Sequence, residues 1–71
     1  MTFTEAAAFV MPFGQHKGRT LDDIASDDEG LSYLGWLRGV REEEEQDWPV
    51  DLALATYLDD PAIAKELEAL T

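Results

Sequence analysis

The stretch "EGLSYLGWLRGVREE", Glu29 to Glu43, decides the fold, because its apolar side chains recur at spacings of three and four residues. Such spacing predicts an α-helix with one apolar face. The residues on that face, or flanking it, are Leu31, Tyr33, Leu34, Trp36, Leu37 and Val40. Gly35 and Gly39 lie within this helix, and we interpret them as tolerated on its solvent side, the alternative being close approach of another backbone.

Two further helices are predicted after this one. Pro49 and Pro61 mark their first turns, since proline is favoured there, and Asp60 suits the position that caps the second. The residues predicted to face inward are Val50, Leu54, Tyr57, Leu58, Ile63, Leu67 and Leu70. At the other end of the chain, residues 1–8 are expected to be a flexible tail or a short helix.

The segment between these parts predicts a β-hairpin. "FVMPF", residues 9–13, has the β-branched and aromatic composition of a short strand, and Gly14 and Gly18 suit the ends of a tight connection. The return strand would be Arg19–Leu21, and Thr20 would also cap a single helical turn that follows it. We therefore expect a single α+β domain over residues 1–71, with a small β-hairpin packed against about three helices.

The predicted core draws on all of these elements. Its members are Phe13, Leu21, Ile24, Tyr33, Leu34, Leu37, Val40, Leu54, Tyr57 and Leu67. Trp36 and Trp48, the largest apolar side chains, are assigned to the core as well. The alternative is that one of them, near the hairpin, stacks on a base or anchors a partner.

Charge and composition narrow the function. The 71 residues carry 16 Asp and Glu against 5 Lys and Arg, for a net charge of −11, and they include no cysteine. No disulfide framework or thiolate site is therefore available. No apolar run approaches the roughly 20 residues that span a bilayer, and the first residues lack a cationic leader, so we expect a cytoplasmic protein without membrane contact.

Two of the five Lys and Arg residues, and the one histidine, lie in or next to the connection between Gly14 and Gly18. His16, Lys17 and Arg19 lie within four residues, next to Gln15, and no acid occurs between Phe9 and Leu21. A phosphate, a protein partner or the requirements of a tight turn could each account for this pattern. The spacing of the two glycines does not match a nucleotide-binding P-loop.

The residue types do not favour an enzyme. One histidine without a cysteine or a second histidine supplies neither a metal cluster nor a nucleophile with its base. Adjacent acidic residues could hold a magnesium ion, but they coincide with predicted helix starts, where capping explains them; they are Asp22–Asp23, Asp27–Glu29 and Asp59–Asp60. We therefore expect no catalytic residues, no metal and no cofactor.

Two motifs resemble a known family. The turn "FGQHKGR" followed by "LDD", and then the helix motif "YLGWL", are similar to those of the quorum-sensing-regulated virulence factor family and of the exodeoxyribonuclease X-like C-terminal domain. The residues that match are Phe13, Gly14, His16, Lys17, Gly18, Arg19, Leu21, Asp22, Asp23, Tyr33, Leu34, Trp36 and Leu37. Such domains occur alone in bacteria and phages and also attached to nucleases, so the resemblance implies a non-catalytic accessory module, phage-encoded or bacterial, that works near nucleic acids.

Three departures from that family pattern concern charge. Gln15 replaces a usual lysine, Asp28–Leu31 inserts an acidic stretch, and Glu42–Glu45 adds a negative block. We therefore expect a binding module associated with DNA transactions, which makes weak local contact with nucleic acid and also has a protein partner. Its predicted contact residues are Gly14, Gln15, His16, Lys17, Gly18, Arg19 and Trp36.

The alternative uses the opposite charge. The acidic residues would bind a host protein in place of DNA, through a surface that mimics the phosphate density of DNA. Its residues are Glu42, Glu43, Glu44, Glu45 and Asp47. Whether the chain is a monomer or a homodimer stays open from the sequence.

Overall fold

The protein is an assembly of five helices in a computed structural model, which describes residues 1–44 and 48–70. Their bounds are α1 Phe3–Ala7, α2 Leu21–Ile24, α3 Asp28–Glu43, α4 Pro49–Leu58 and α5 Pro61–Ala69. The predicted α+β class is wrong, because no strand or sheet occurs in the described part of the chain. The fold is all-helical.

The predicted β-hairpin is reduced to one isolated antiparallel bridge between Val10 and Thr20. The two arms do approach each other, since the Met11 N–H donates to the Arg19 carbonyl at 2.8 Å. The return arm ends immediately, however, because the Thr20 side chain accepts a hydrogen bond from the Asp23 N–H and caps α2. Helix capping at this position leaves too few residues for a strand.

The helix starts follow the capping signals in the sequence. Thr20 caps α2, Asp60 caps α5, and Pro49 and Pro61 occupy the first turns of α4 and α5, all as predicted. Asp27 caps α3 by accepting from the Gly30 N–H at 2.6 Å. Capping therefore accounts for the positions of Asp27 and Asp60.

Residues 1–8 contain the short helix α1, which packs against α4. A capping box holds its first turn, since Thr2 accepts from the Glu5 N–H and the Glu5 carboxylate accepts from the Thr2 N–H. The Phe3 ring stacks on Tyr57 with 5.1 Å between centroids, and Ala6 is fully buried. Tertiary packing therefore stabilises a helix that is too short to persist alone.

The core lies where α1, α2, α3 and α4 meet. Its buried apolar residues are Ala6, Met11, Leu21, Ile24, Leu31, Leu34, Leu37, Val50, Ala53, Leu54, Tyr57 and Leu58. Of the predicted core, Phe13, Tyr33 and Leu67 pack against this cluster while partly buried, and Val40 is half-buried. The buried Tyr57 also makes a polar contact with α2. Its hydroxyl donates to Asp22 Oδ1 at 3.3 Å. Burial together with that carboxylate raises the pKa of Tyr57 to about 12.

Both tryptophans are exposed, so their assignment to the core is wrong. Trp36 is 62% exposed and Trp48 is 53% exposed. Trp36 lies on α3 outside the buried face that Leu34 and Leu37 define.

Among the described residues, no helix is both long and apolar enough to cross a membrane.

Candidate functional site

The five residues from Gly14 to Gly18, named here the glycine loop, are fixed against the body of the protein. Gly14 and Gly18 have φ values of +80° and +90°, in the region that favours glycine. The Gly18 N–H donates to the Met11 carbonyl at 3.0 Å and closes the loop. A Cβ atom at Gly14 would lie 2.8 Å from the Tyr33 hydroxyl oxygen, so the loop also rests directly on α3.

The three basic side chains of this region have different surroundings. Arg19 folds back on α2, since its Nε donates to Asp23 Oδ2 at 2.8 Å and its Nη2 donates to the Asp23 carbonyl at 3.0 Å. The hydrogen bond to that carboxylate raises the pKa of Arg19. Lys17 is exposed and forms no ion pair with any residue that the structure describes. The positive group that the loop presents to solvent is therefore chiefly Lys17.

His16 connects the loop to both neighbours. Arg19 Nη1 lies 3.1 Å from His16 Nδ1, and since a guanidinium only donates, this ring nitrogen is the acceptor. The Gln15 side-chain amide lies 3.3 Å from the other ring nitrogen. The His16 ring also meets Tyr33 edge-on, with 4.8 Å between centroids and 61° between planes. His16 is thus a positioning residue for the loop.

A row of three rings runs from the loop along α3. It starts at His16, continues through Tyr33 and ends at Trp36, whose centroid lies 5.9 Å from that of Tyr33. Trp36 is thereby linked to the glycine loop through Tyr33. Tyr33 was predicted as a core residue and as part of the helix motif, and its place one turn before Trp36 was the available signal for this link.

The backbone of the loop also has unused donors. Within the described ranges, no acceptor meets the N–H groups of Gly14, Gln15 and His16. Successive N–H groups in a turn that contains a left-handed residue can bind an anion together. The glycine loop therefore presents backbone donors and the Lys17 ammonium on the same short segment.

The predicted acidic surface lies partly outside the described residues. Glu42, Glu43 and Glu44 are exposed at the end of α3, whereas Glu45 and Asp47 fall in the gap between residues 44 and 48. The i, i+4 spacing of Arg38 and Glu42 predicts an ion pair, and the structure contains it at 3.1 Å. The same spacing predicts a pair between Arg41 and Glu45, and Glu45 lies outside the described residues.

Sequence reasoning missed an ion pair between α3 and α4. Arg41 Nε and Nη2 donate to the two carboxylate oxygens of Asp51 at 2.6 and 3.0 Å, and both side chains are largely buried. These hydrogen bonds raise the pKa of Arg41 and lower that of Asp51. The Arg41 guanidinium also faces Phe13 and Trp48, at 5.3 and 4.8 Å from the ring centroids. Ten residues separate the paired charges, too many for a helical spacing to indicate the contact.

The described residues contain no group of three or more His, Asp or Glu side chains arranged to hold a metal ion. Comparisons of the chain with protein-family models, with curated proteins and with solved structures find no match. The family resemblance given above stays a prediction that rests on its two sequence motifs.

Proposed function

We propose that this protein is a non-enzymatic binding module that holds a short stretch of single-stranded nucleic acid. The observation that carries the proposal is the placement of exposed Trp36 at the end of a ring row that begins in the glycine loop. One surface thereby offers both an aromatic platform and donors for a phosphate. The motif resemblance to modules attached to nucleases supports the same assignment.

Each part of the surface suits one part of a nucleotide. Trp36 exposes its ring to solvent, and base stacking on an aromatic side chain contributes about 1–3 kcal/mol per base. Lys17 and the free N–H groups from Gly14 to His16 suit a phosphate oxygen. Stacking does not distinguish the bases, so we propose binding without strong sequence preference.

The net charge makes this contact weak and sensitive to salt. A protein of charge −11 repels a polyanion at distances up to about 8 Å at physiological ionic strength. Only at contact distance do Lys17 and the loop donors outweigh that repulsion. An accessory module of this kind would act next to a partner that supplies the main affinity.

We expect oligothymidylate of about 10 nucleotides to quench the fluorescence of Trp36 at about 50 mM salt. The titration uses the Trp48→Phe variant, in which Trp36 is the remaining tryptophan. Replacing Lys17 with Ala should weaken binding about tenfold, because the exposed ammonium contacts the phosphate. The Trp36→Ala variant, followed by fluorescence polarisation of a labelled oligonucleotide, should lose a similar factor.

Lys65→Ala is the matched control for Lys17→Ala. Lys65 is exposed on α5 and, like Lys17, forms no ion pair with a described residue. Each variant removes one positive charge, so the two proteins have the same net charge. Binding by the control should stay close to that of the parent. Equal loss in the two lysine variants, or absence of quenching at low salt, would show that the glycine loop is not the contact.

The second candidate function, binding of a basic protein by the acidic residues, also has a supporting observation. Arg19, Arg38 and Arg41 are all engaged in ion pairs within the chain. The four ion pairs among the described residues leave other exposed carboxylates outside them, including Glu43 and Glu44 at the end of α3. Such a surface attracts cationic partners over a distance.

A further inference from the structure

An apolar groove lies between the segment before the glycine loop and the start of α4. Its volume is about 430 Å³, and its lining residues are Phe9, Pro12, Phe13, Trp48, Pro49 and Val50. Pockets that bind ligands in proteins have volumes of about 300–1,000 Å³ and mostly apolar walls. The groove therefore has the size and composition of a binding site, and it uses none of the residues of the glycine loop.

The groove walls are preformed and partly exposed. Both Val50 and Trp48 line the groove, but Val50 is buried whereas Trp48 is 53% exposed. The Arg41 guanidinium contacts the rings of Phe13 and Trp48 and so fixes both walls. Rigid aromatic walls reduce the ordering cost when an apolar side chain enters.

The charged side chains next to the groove sum to a negative charge. Arg41, which faces Phe13 and Trp48, is paired with Asp51 at 2.6 Å. Glu44 follows Arg41 by one turn, and its N–H donates to the Arg41 carbonyl at 3.2 Å. Glu44 also follows the last turn of α3, where the helix dipole adds partial negative charge. Positive groups next to an apolar side chain would therefore complement this rim.

We propose that the groove binds an extended peptide segment of a partner protein, in which an apolar side chain lies next to lysine or arginine. A nucleic acid strand does not fit, because the rim repels phosphate. A second copy of this chain does not fit either, because it would bring another charge of −11 with few basic residues to offer. The proposal does not depend on nucleic-acid binding by the glycine loop.

Selection from a phage-displayed library of random peptides tests this proposal. A length of about 8 residues spans the 27 Å longest dimension of the protein when extended. We expect the enriched peptides to combine leucine or an aromatic residue with adjacent lysine or arginine. An absence of enrichment, or enrichment of acidic peptides, would overturn the proposal.

Variants then locate the binding of an enriched, synthesised peptide, followed by fluorescence polarisation. Trp48→Ser should weaken binding about tenfold or more, because it removes an aromatic anchor. Leu52→Ser is the matched control, since Leu52 is 51% exposed on α4, which Trp48 immediately precedes, and is not among the residues that line the groove. Unchanged binding in Trp48→Ser, or equal loss in the control, would overturn the proposal.

Two more variants keep the test decisive. Circular dichroism checks the fold of Trp48→Ser. If that variant unfolds, Pro12→Ser is used instead and should also weaken peptide binding, because Pro12 is an exposed lining residue. Proline has no backbone N–H, so its replacement breaks no backbone hydrogen bond donated by this residue. Peptide binding should be retained by Lys17→Ala, which separates this groove from the glycine loop. Loss of peptide binding in Lys17→Ala together with unchanged binding in Pro12→Ser would assign the peptide to the loop instead.

Discussion

Three glycines of α3 meet three different surroundings. A Cβ atom at Gly30 would collide with the carbonyl group of Ile24, so the first turn of α3 contacts the backbone of α2 directly. At Gly35 it would lie 3.0 Å from Leu67 Cδ1, whereas at Gly39 it would meet open space. The interpretation that glycines here are tolerated on the solvent side is confirmed for Gly39 and is wrong for Gly35.

Alanine substitutions should separate these surroundings. Gly39→Ala should raise the free energy of unfolding by about 1 kcal/mol, because alanine favours the helix and nothing obstructs its methyl group. Gly30→Ala should lower the free energy of unfolding by about 2 kcal/mol, because backbone atoms must move apart. Urea denaturation measures both values. A Gly30→Ala protein as stable as the parent would contradict the close contact between α2 and α3.

At the scale of elements, the sequence predicts a helix correctly where a capping residue directly precedes apolar residues at helical spacing. The prediction of a helix from Glu29 to Glu43 is confirmed to within one residue, since α3 begins at Asp28. The hairpin prediction was wrong because threonine at position 20 fits both a β-strand and a helix cap, and in the structure it caps α2. Only tertiary packing decides between two such patterns, and here it favours the helix.

The ion pair between α3 and α4 should make stability depend on pH. Arg41 lowers the pKa of Asp51 in the folded state, so the ionised pair stabilises the fold above the ordinary aspartate pKa of about 3.9. That contribution is lost as the pH falls through the lowered value. Asp51→Asn should therefore reduce the free energy of unfolding by about 2 kcal/mol at neutral pH.

Urea denaturation of both proteins at neutral pH and at about pH 2 measures this difference. The gap between parent and Asp51→Asn should narrow at the acidic pH, where the Asp51 carboxylate of the parent is increasingly protonated. Asp59→Asn is the control, because Asp59 pairs with Arg38 in a far more exposed position. A gap that is independent of pH would contradict the assigned role of the Asp51 charge.

At the scale of the whole molecule, a body of 27 × 25 × 23 Å carries a net charge of −11. Charge and glycine spacing alone identify the unusual basic segment from Gly14 to Arg19 in the sequence. The i, i+4 spacing of Arg19 and Asp23 was an available signal for their ion pair. The sequence could not show that His16 packs against Tyr33, because that contact depends on where the loop lies relative to α3, which no local pattern contains.

The central claim is that one small surface around the glycine loop contacts nucleic acid despite the charge of the whole protein. Backbone amide resonances of the isotopically labelled protein, recorded during titration with oligothymidylate at about 50 mM salt, test it most directly. We expect shifts confined to residues 14–18, Tyr33 and Trp36, and their loss at higher salt. Unchanged loop resonances, or shifts only elsewhere on the protein, would contradict the claim.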